Sequence, residues 1–222
     1  MNKGKIIYVK GNVCRPQRLN ENELVVIPHC CNNLGRMGAG VALALKKEWP
    51  VIAHEYMDRA QTQDADGLKN WLGEVIFEPV EYDPLTAVAN MIGQDGLVGP
   101  ENPKPVKYWA LLQAMQTTLA LAGVHVKPGQ SIVFHCPKFG SDLAGGKWEV
   151  IEELIKETWC ERGCDVVVYE FECNPDKWGP VDSIEMLKKK ANEGDKVAIA
   201  LLDDKNKKDD WWKDEEDTLP EK

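Results

Sequence analysis

Residues 27–50 read IPHCCNNLGRMGAGVALALKKEWP. An apolar, β-branched run, Glu23 to Pro28 (ELVVIP), leads in, and glycines fall at 35, 38 and 40. Beyond them Val41, Leu43, Ala44, Leu45, Trp49, Ile52, Ala53 and Tyr56 recur at helical spacing. Strand, glycine loop and helix thus follow one another within one short stretch. Pro50 interrupts the helical pattern, which predicts one helix from about Ala39 to Lys47 and an abutting one to about Arg59. A second loop of the same kind joins the strand pattern Ser131 to Cys136 (SIVFHC) to a helix pattern from Trp148 to Arg162. It runs from Phe139 and Gly140 through Ser141, Asp142, Leu143 and Ala144 to Gly145 and Gly146. Glycine lets backbone N–H groups approach an anion closely, and the first turn of the following helix offers unpaired N–H groups at its positive end. One such loop is weak evidence. Two in one small domain suggest a diphosphate gripped from both sides.

Outward from these loops the pattern alternates. Strands are predicted at Lys5 to Val9, Gly73 to Phe77, Ala87 to Ile92 and Asp165 to Phe171, with turns at Asp64 to Lys69 and Pro79 to Pro84. Gly93 to Pro105, rich in glycine and proline, reads as a mobile loop. Tyr108, Leu111, Leu112, Met115, Leu119 and Ala122 mark an amphipathic helix ending at Gly123. This order predicts an α/β fold with a mixed, mostly parallel sheet and helices on both faces. Past Cys173 the composition shifts. Residues 183–192 suit a short helix, Val197 to Leu202 an edge strand, and Asp203 to Lys222, with nine acids and five lysines, a solvated tail that could bind a basic protein partner. The expected organisation is a domain over 1–172 and an extension over 173–222.

With 222 residues, 43% hydrophobic and 28% charged, the chain can bury a full core. No apolar run approaches the roughly eighteen residues that span a bilayer, and no signal-peptide core opens the sequence, so a soluble, cytoplasmic protein is expected. A net charge of −9 argues against a broad nucleic-acid surface, though local N–H groups still suit a small anion. Seven cysteines without a C-x-x-C pair argue against a disulfide framework. Cys160 and Cys164 could join Cys173 or His29 around zinc, but reduced, partly buried thiols explain them more simply, and no metal or cofactor is expected. No phosphate-loop motif G-x-x-x-x-G-K-[ST] occurs. GRMGAG also spaces its glycines differently from the dinucleotide motif G-x-G-x-x-G.

In YVKGNV (Tyr8 to Val13), in residues 27–50, in ANMIGQ (Ala89 to Gln94) and in CPKFGSDLAGGKW (Cys136 to Trp148), the chain resembles the macrodomain, the ADP-ribose-binding module. The resemblance covers about residues 5–171, and it is nearest to the branch of ADP-ribose-1''-phosphate phosphatases and ADP-ribosyl-glutamate hydrolases. It implies a three-layer α/β/α sandwich that binds ADP-ribose or its 1''-phosphate. It also implies that Gly11 and Asn12 stand where the family usually has Gly-Asp at the adenine amino group, an Asn carbonyl accepting the same bond, with Val13 supplying the neighbouring N–H. Gly38, Ala39, Gly40 and Val41 would run beside the distal ribose and one phosphate. Ser141 to Gly146, through Leu143, Ala144 and Gly145, would close over the diphosphate. Asn32 and Asn33 would face the distal ribose, and Phe139 or Phe171 would pack on ligand rings.

The resemblance makes hydrolysis of the 1''-phosphate the expected activity, with His29 as base, Asn32 beside it, and Asp142 orienting the ring or acting as acid. His135 is the weaker histidine because its strand looks buried. The lysine-adduct mechanism of one subgroup is not expected, since Gln94 and Ala144 stand where that subgroup has lysine and aspartate. Cleavage of ADP-ribosyl bonds on protein, nucleic acid or a cyclic messenger is the enzymatic alternative, and a non-catalytic reader the other. From the residues alone, the glycines could be helix-start punctuation, the asparagines turn formers, and His29 a packed strand-end residue.

Overall fold

A computed structural model describes residues 2–63, 67, 70–82 and 85–170. The chain divides into two units, 1–171 and 172–222, and the expectations for 173–222, for Phe171, and for the turn at 64–69 apart from Gly67 lie outside the described residues.

Six strands form one sheet: β1 (Ile6–Lys10), β2 (Glu23–Asn32), β3 (Val75–Tyr82), β4 (Leu85–Gln94), β5 (Ser131–Pro137) and β6 (Asp165–Glu170). Their order is β1-β6-β5-β2-β4-β3; only β3 runs antiparallel, against β4. Among the described residues four helices cover it: α1 (Gly40–Glu48), α2 (Val51–Gln61), α3 (Tyr108–His125) and α4 (Trp148–Thr158). The alternation of a strand buried on both faces explains the layering. Val25 and Ile27 of β2 join Leu45, Ile52 and Tyr56 under α1 and α2. Leu24 and Val26 join Leu111, Met115, Ile151 and Ile155 under α3 and α4. The expected α/β/α sandwich with a mixed, mostly parallel sheet is therefore the observed fold.

Three boundaries differ from expectation. Pro79 does not begin a turn, because β3 is the sheet's edge and its ladder absorbs the proline in a register shift between Pro79 and Glu81. Helix α3 passes Gly123 and ends at His125, whose ring stacks on Phe77 at 5.4 Å. Strand β2 continues past Pro28 to Asn32, since the ladder to β5 has ended at Val26 and a missing N–H costs nothing on that side. Nor is the 93–105 segment loose. Asp95 N donates to Pro105 O, and Asn102 Nδ2 donates to the carbonyls of Asp95 and Leu97.

Candidate functional site

The sheet topology makes the crevice. β2 pairs with β4 as far as Asn32, but with β5 only over Glu23–Val26, while β5 stays with β6 to Pro137. Beyond that point the two adjacent parallel strands part. The chain leaving β2 turns to α1 on one face of the sheet, and the chain leaving β5 turns to α4 on the other. Such a switch point, at the carboxyl ends of parallel strands, is where open α/β sheets take ligands.

The first glycine loop forms one wall. Asn32 builds it: its Oδ1 accepts from the N–H groups of Leu34 (3.0 Å) and Arg36 (3.1 Å) and from Tyr56 Oη (3.1 Å), and its Nδ2 donates to Arg36 O (2.8 Å). Asn33 ties this loop to the next, with Nδ2 donating to Asp95 Oδ1 (3.1 Å) and Oδ1 accepting from Gly96 N (2.8 Å). Both side chains are buried and engaged within the protein, so neither faces a distal ribose as expected; they are the turn formers that set the loop's shape. Gly38, Ala39 and Gly40, by contrast, lie exposed. Helix α1 begins without a cap: Ala39 is its extended N-cap residue, no side chain caps it, and no acid occupies the first turn. Its ladder starts with Leu43 N donating to Ala39 O, which leaves the N–H groups of Gly40, Val41 and Ala42 pointing out of the helix without a partner among the described residues. Lysines 46 and 47 in the last turn suit the dipole's other end.

The second loop forms the facing wall. Gly40 has φ +57°, a left-handed conformation open to glycine, and a Cβ built there would lie 3.8 Å from Leu143 Cδ1. The two glycine loops therefore meet across the crevice, with Leu143 exposed at its mouth. The loop is closed on itself by Ala144 N to Ser141 O (2.9 Å), Gly146 N to Gly140 O (3.0 Å) and Ser141 Oγ to Lys138 O. Gly146 is needed for that closure, since a Cβ there would sit 2.2 Å from Gly140 O. The N–H of Leu143 finds no partner among the described residues, while the 3-10 turn over Asp142–Ala144 turns the Gly145 N–H back toward the turn's own first carbonyl. Three assignments need correction here. Phe139 and Ala144 are each 3% exposed and pack into the α3/α4 core, Phe139 edge-on to Trp148, so neither side chain touches the crevice. The N–H of Gly146 is satisfied by Gly140, itself buried, and offers nothing to a ligand. The Asp142 side chain lies outside the described set; its backbone opens a short 3-10 turn over Asp142–Ala144.

Past the end of β1, Asn12 shapes a turn. Its Oδ1 accepts from Cys14 N (2.9 Å) and its carbonyl from Arg15 N (2.9 Å). The amide oxygen keeps a second lone pair, Asn12 is partly exposed, and Val13, itself buried, has no partner for its N–H among the described residues. Gly11 lies on Tyr169, where a Cβ would be 3.5 Å from the ring.

His29 is overturned as the base. It shares the face of Val25 and Ile27, is fully buried, and holds Asn90 Oδ1 at 2.6 Å from Nε2, while Asn90 Nδ2 donates to Ile52 O (2.7 Å) on α2. Burial lowers its pKa to about 4, only partly offset by the Asn90 hydrogen bond. The ring is thus neutral at physiological pH and sealed beneath α2, away from the crevice. Tyr56, which fixes Asn32 through both its carbonyl (2.6 Å) and its side chain, was legible only as a core residue of the second helix pattern.

Gln94 Nε2 donates to Cys30 O (3.2 Å). The described cysteines are all free, and burial pushes the Cys30 thiol up to about 12. Among the described residues no group of three or more His, Cys, Asp or Glu could hold a metal ion, and His29 and Cys160 lie on opposite faces of the sheet. No described helix is long and apolar enough to cross a membrane.

No protein-family model matches the chain, and no curated protein matches it by sequence. Solved structures do. A protein of unknown function from Bacteroides thetaiotaomicron is 36% identical with a TM-score of 0.63, over 76% of this chain and 99% of that one. A macrodomain protein from Streptomyces coelicolor is 34% identical with a TM-score of 0.57, over 74% of this chain and 98% of that one. The macrodomain of Mycobacterium tuberculosis DarG, 18% identical with a TM-score of 0.52 over 75% of this chain and 97% of that one, shares the fold. With a macrodomain protein matched over nearly its whole length at this identity, and with the sheet order, switch-point crevice and paired glycine loops in place, the chain belongs to the macrodomain family.

Proposed function

We propose that the protein binds ADP-ribose in this crevice, with the diphosphate between the first turn of α1 and the second glycine loop, the adenine at Asn12 and Val13, and the distal ribose toward Gly38 and Leu143. One observation carries it: an uncapped helix start, whose first three N–H groups have no partner among the described residues, faces a second loop whose Leu143 N–H is likewise unpaired there, close enough that a Cβ built on Gly40 would lie 3.8 Å from Leu143 Cδ1. The reaction proposed is hydrolysis of ADP-ribose-1''-phosphate. Water adds to phosphorus, the bond from phosphorus to the 1'' oxygen breaks, and that oxygen takes a proton, giving ADP-ribose and inorganic phosphate. Backbone N–H groups would carry the electrostatic part of that step. With His29 and Asn32 removed from the expected catalytic trio, proton transfer falls to Asp142.

A non-catalytic reader of ADP-ribose is the second possibility, and the sealing of His29 beneath α2 favours it. Phosphorus NMR of ADP-ribose-1''-phosphate with the full-length protein, alongside calorimetric titration with ADP-ribose, separates the outcomes. Free phosphate appearing with ADP-ribose supports the phosphatase. Binding without phosphate release supports a reader, or an enzyme acting on ADP-ribosyl conjugates. Absence of ADP-ribose binding would overturn the proposal.

A further inference from the structure

Three polar side chains lie buried side by side in the sheet, Glu23, His135 and Tyr169, the last being the residue on which Gly11 rests. Glu23 and His135 are 0% exposed and Tyr169 is 4% exposed. His135 Nε2 lies 3.1 Å from Glu23 Oε1, and Nδ1 lies 3.0 Å from Tyr169 Oη. At the far ends the row meets backbone. Glu23 Oε2 accepts from Leu19 N (2.8 Å) and Asn20 N (3.2 Å), and Tyr169 Oη accepts from Gln17 N (2.7 Å).

One tautomer satisfies the whole row: with the His135 proton on Nε2, that N–H donates to Glu23 Oε1, Nδ1 accepts from the Tyr169 hydroxyl, and the phenol oxygen accepts from Gln17 N. Every polar atom in the row is matched, as burial in a low-dielectric interior demands. Burial also holds the Tyr169 phenol above its usual pKa, so its proton stays in place.

What the row holds is the segment between β1 and β2. Tyr169 touches it twice, with its ring beneath Gly11 and its hydroxyl at Gln17, and so brackets the turn Asn12–Arg15 from both sides. We infer that Tyr169, oriented by His135 and Glu23, is a positioning residue for the nucleoside end of the crevice, holding the turn that presents Asn12 and Val13. The inference rests on the proposed placement of adenine at that turn.

The test uses the full-length chain with Tyr169→Phe, which keeps the ring under Gly11 and removes the hydroxyl, and with His135→Gln as a second variant. Each is measured against ADP-ribose and against ribose 5-diphosphate, which keeps the diphosphate and distal ribose but lacks the adenosine. Affinity for ADP-ribose should fall about tenfold, a hydrogen bond's worth of positioning, while affinity for ribose 5-diphosphate changes less than twofold. Adding Asn12→Ala to Tyr169→Phe should cost less than Asn12→Ala alone, because the turn is already released. Equal losses on both ligands, or strict additivity with Asn12→Ala, would reduce the row to a stabiliser of the fold and overturn the inference. Amide hydrogen exchange gives a readout independent of ligand. Gln17, Cys14 and Arg15 should lose protection in Tyr169→Phe while β4 amides keep theirs, and unchanged protection would also overturn it. If the wild-type protein fails to bind ADP-ribose but the exchange changes appear, the ligand assignment falls and the positioning of the turn stands.

Discussion

Replacing His29 by alanine separates the two roles a strand-end histidine can have. The ring is fully buried and bonded to Asn90, so its removal leaves a cavity among Ile52, Cys31 and their neighbours and strands the Asn90 acceptor. A buried large-to-small change costs about 2–4 kcal/mol and an orphaned polar atom about 1–3 kcal/mol, overlapping rather than adding, so a loss of about 4 kcal/mol is expected. For a domain of this size that lowers the melting temperature by about 10 °C. The pH dependence carries the sharper signature. In the unfolded chain the ring titrates at 6.5 and in the folded one at about 4, so the unfolded state binds the extra proton between those values. The stabilisation from keeping the ring neutral is full above pH 6.5 and is lost as pH falls toward 4, amounting to about 3 kcal/mol. Denaturant unfolding at pH 7, 5.5 and 4.5 should show the wild type losing stability faster than His29→Ala across that range, while ADP-ribose affinity of the folded variant at pH 7 stays within twofold of wild type. A variant as stable as wild type that has lost turnover would mean that His29 reaches the substrate, and the burial described here would be wrong.

Three further substitutions probe the walls of the crevice. Ala39→Asp caps α1, adding about 1 kcal/mol of stability, yet sets a carboxylate beside the proposed diphosphate; at about 5 Å and an effective dielectric near 20 the repulsion is about 3 kcal/mol, so ADP-ribose should bind at least tenfold more weakly by calorimetry. Phe139→Ala should cost about 3–5 kcal/mol in thermal unfolding, because the ring is core packing against Trp148 and Trp159, and the folded variant should retain the wild-type affinity. Asn32→Ala removes four hydrogen-bond contacts that shape the first loop, so stability and affinity should fall together; loss of turnover alone would restore Asn32 to the reacting groups.

The glycine loops were legible because their signal is local: a strand pattern, glycines and a helix pattern in a row dictate both the local fold and the place of the proposed anion site. The burial of His29 is legible too, in the alternation of its strand. Val25, Ile27 and His29 fall on alternate positions of one strand, so the histidine must share the face on which α1 and α2 bury Leu45, Ile52 and Tyr56. Asn32 is different. Its Asx-type turn can be suspected from the glycine three residues on, but the hydroxyl of Tyr56 that fixes it comes from the second helix, a tertiary contact that no local pattern contains. Phe139 stands at a strand's end, where sequence cannot say whether a ring turns to the groove or to the core; the neighbouring Trp148 and Trp159 decide it. Pro79 read as a turn because proline usually is one, and only the sheet order makes β3 an edge that tolerates it.

A net charge of −9 does not contradict the proposed dianionic ligand once distances are considered. Exposed charges more than about 8–10 Å from the crevice are screened by salt, whereas N–H groups in contact with a phosphate oxygen act with little water between. What decides affinity is therefore the local inventory. The first turn of α1 contains no acid, its N-cap is an alanine where Ser, Thr, Asp or Asn would ordinarily satisfy the free donors, and Glu170 near the same end of the sheet is paired with Lys138 at 2.7 Å. An N-cap that leaves the helix weaker than it could be is hard to explain by folding alone, and simple to explain if the free donors serve an anion between the two loops.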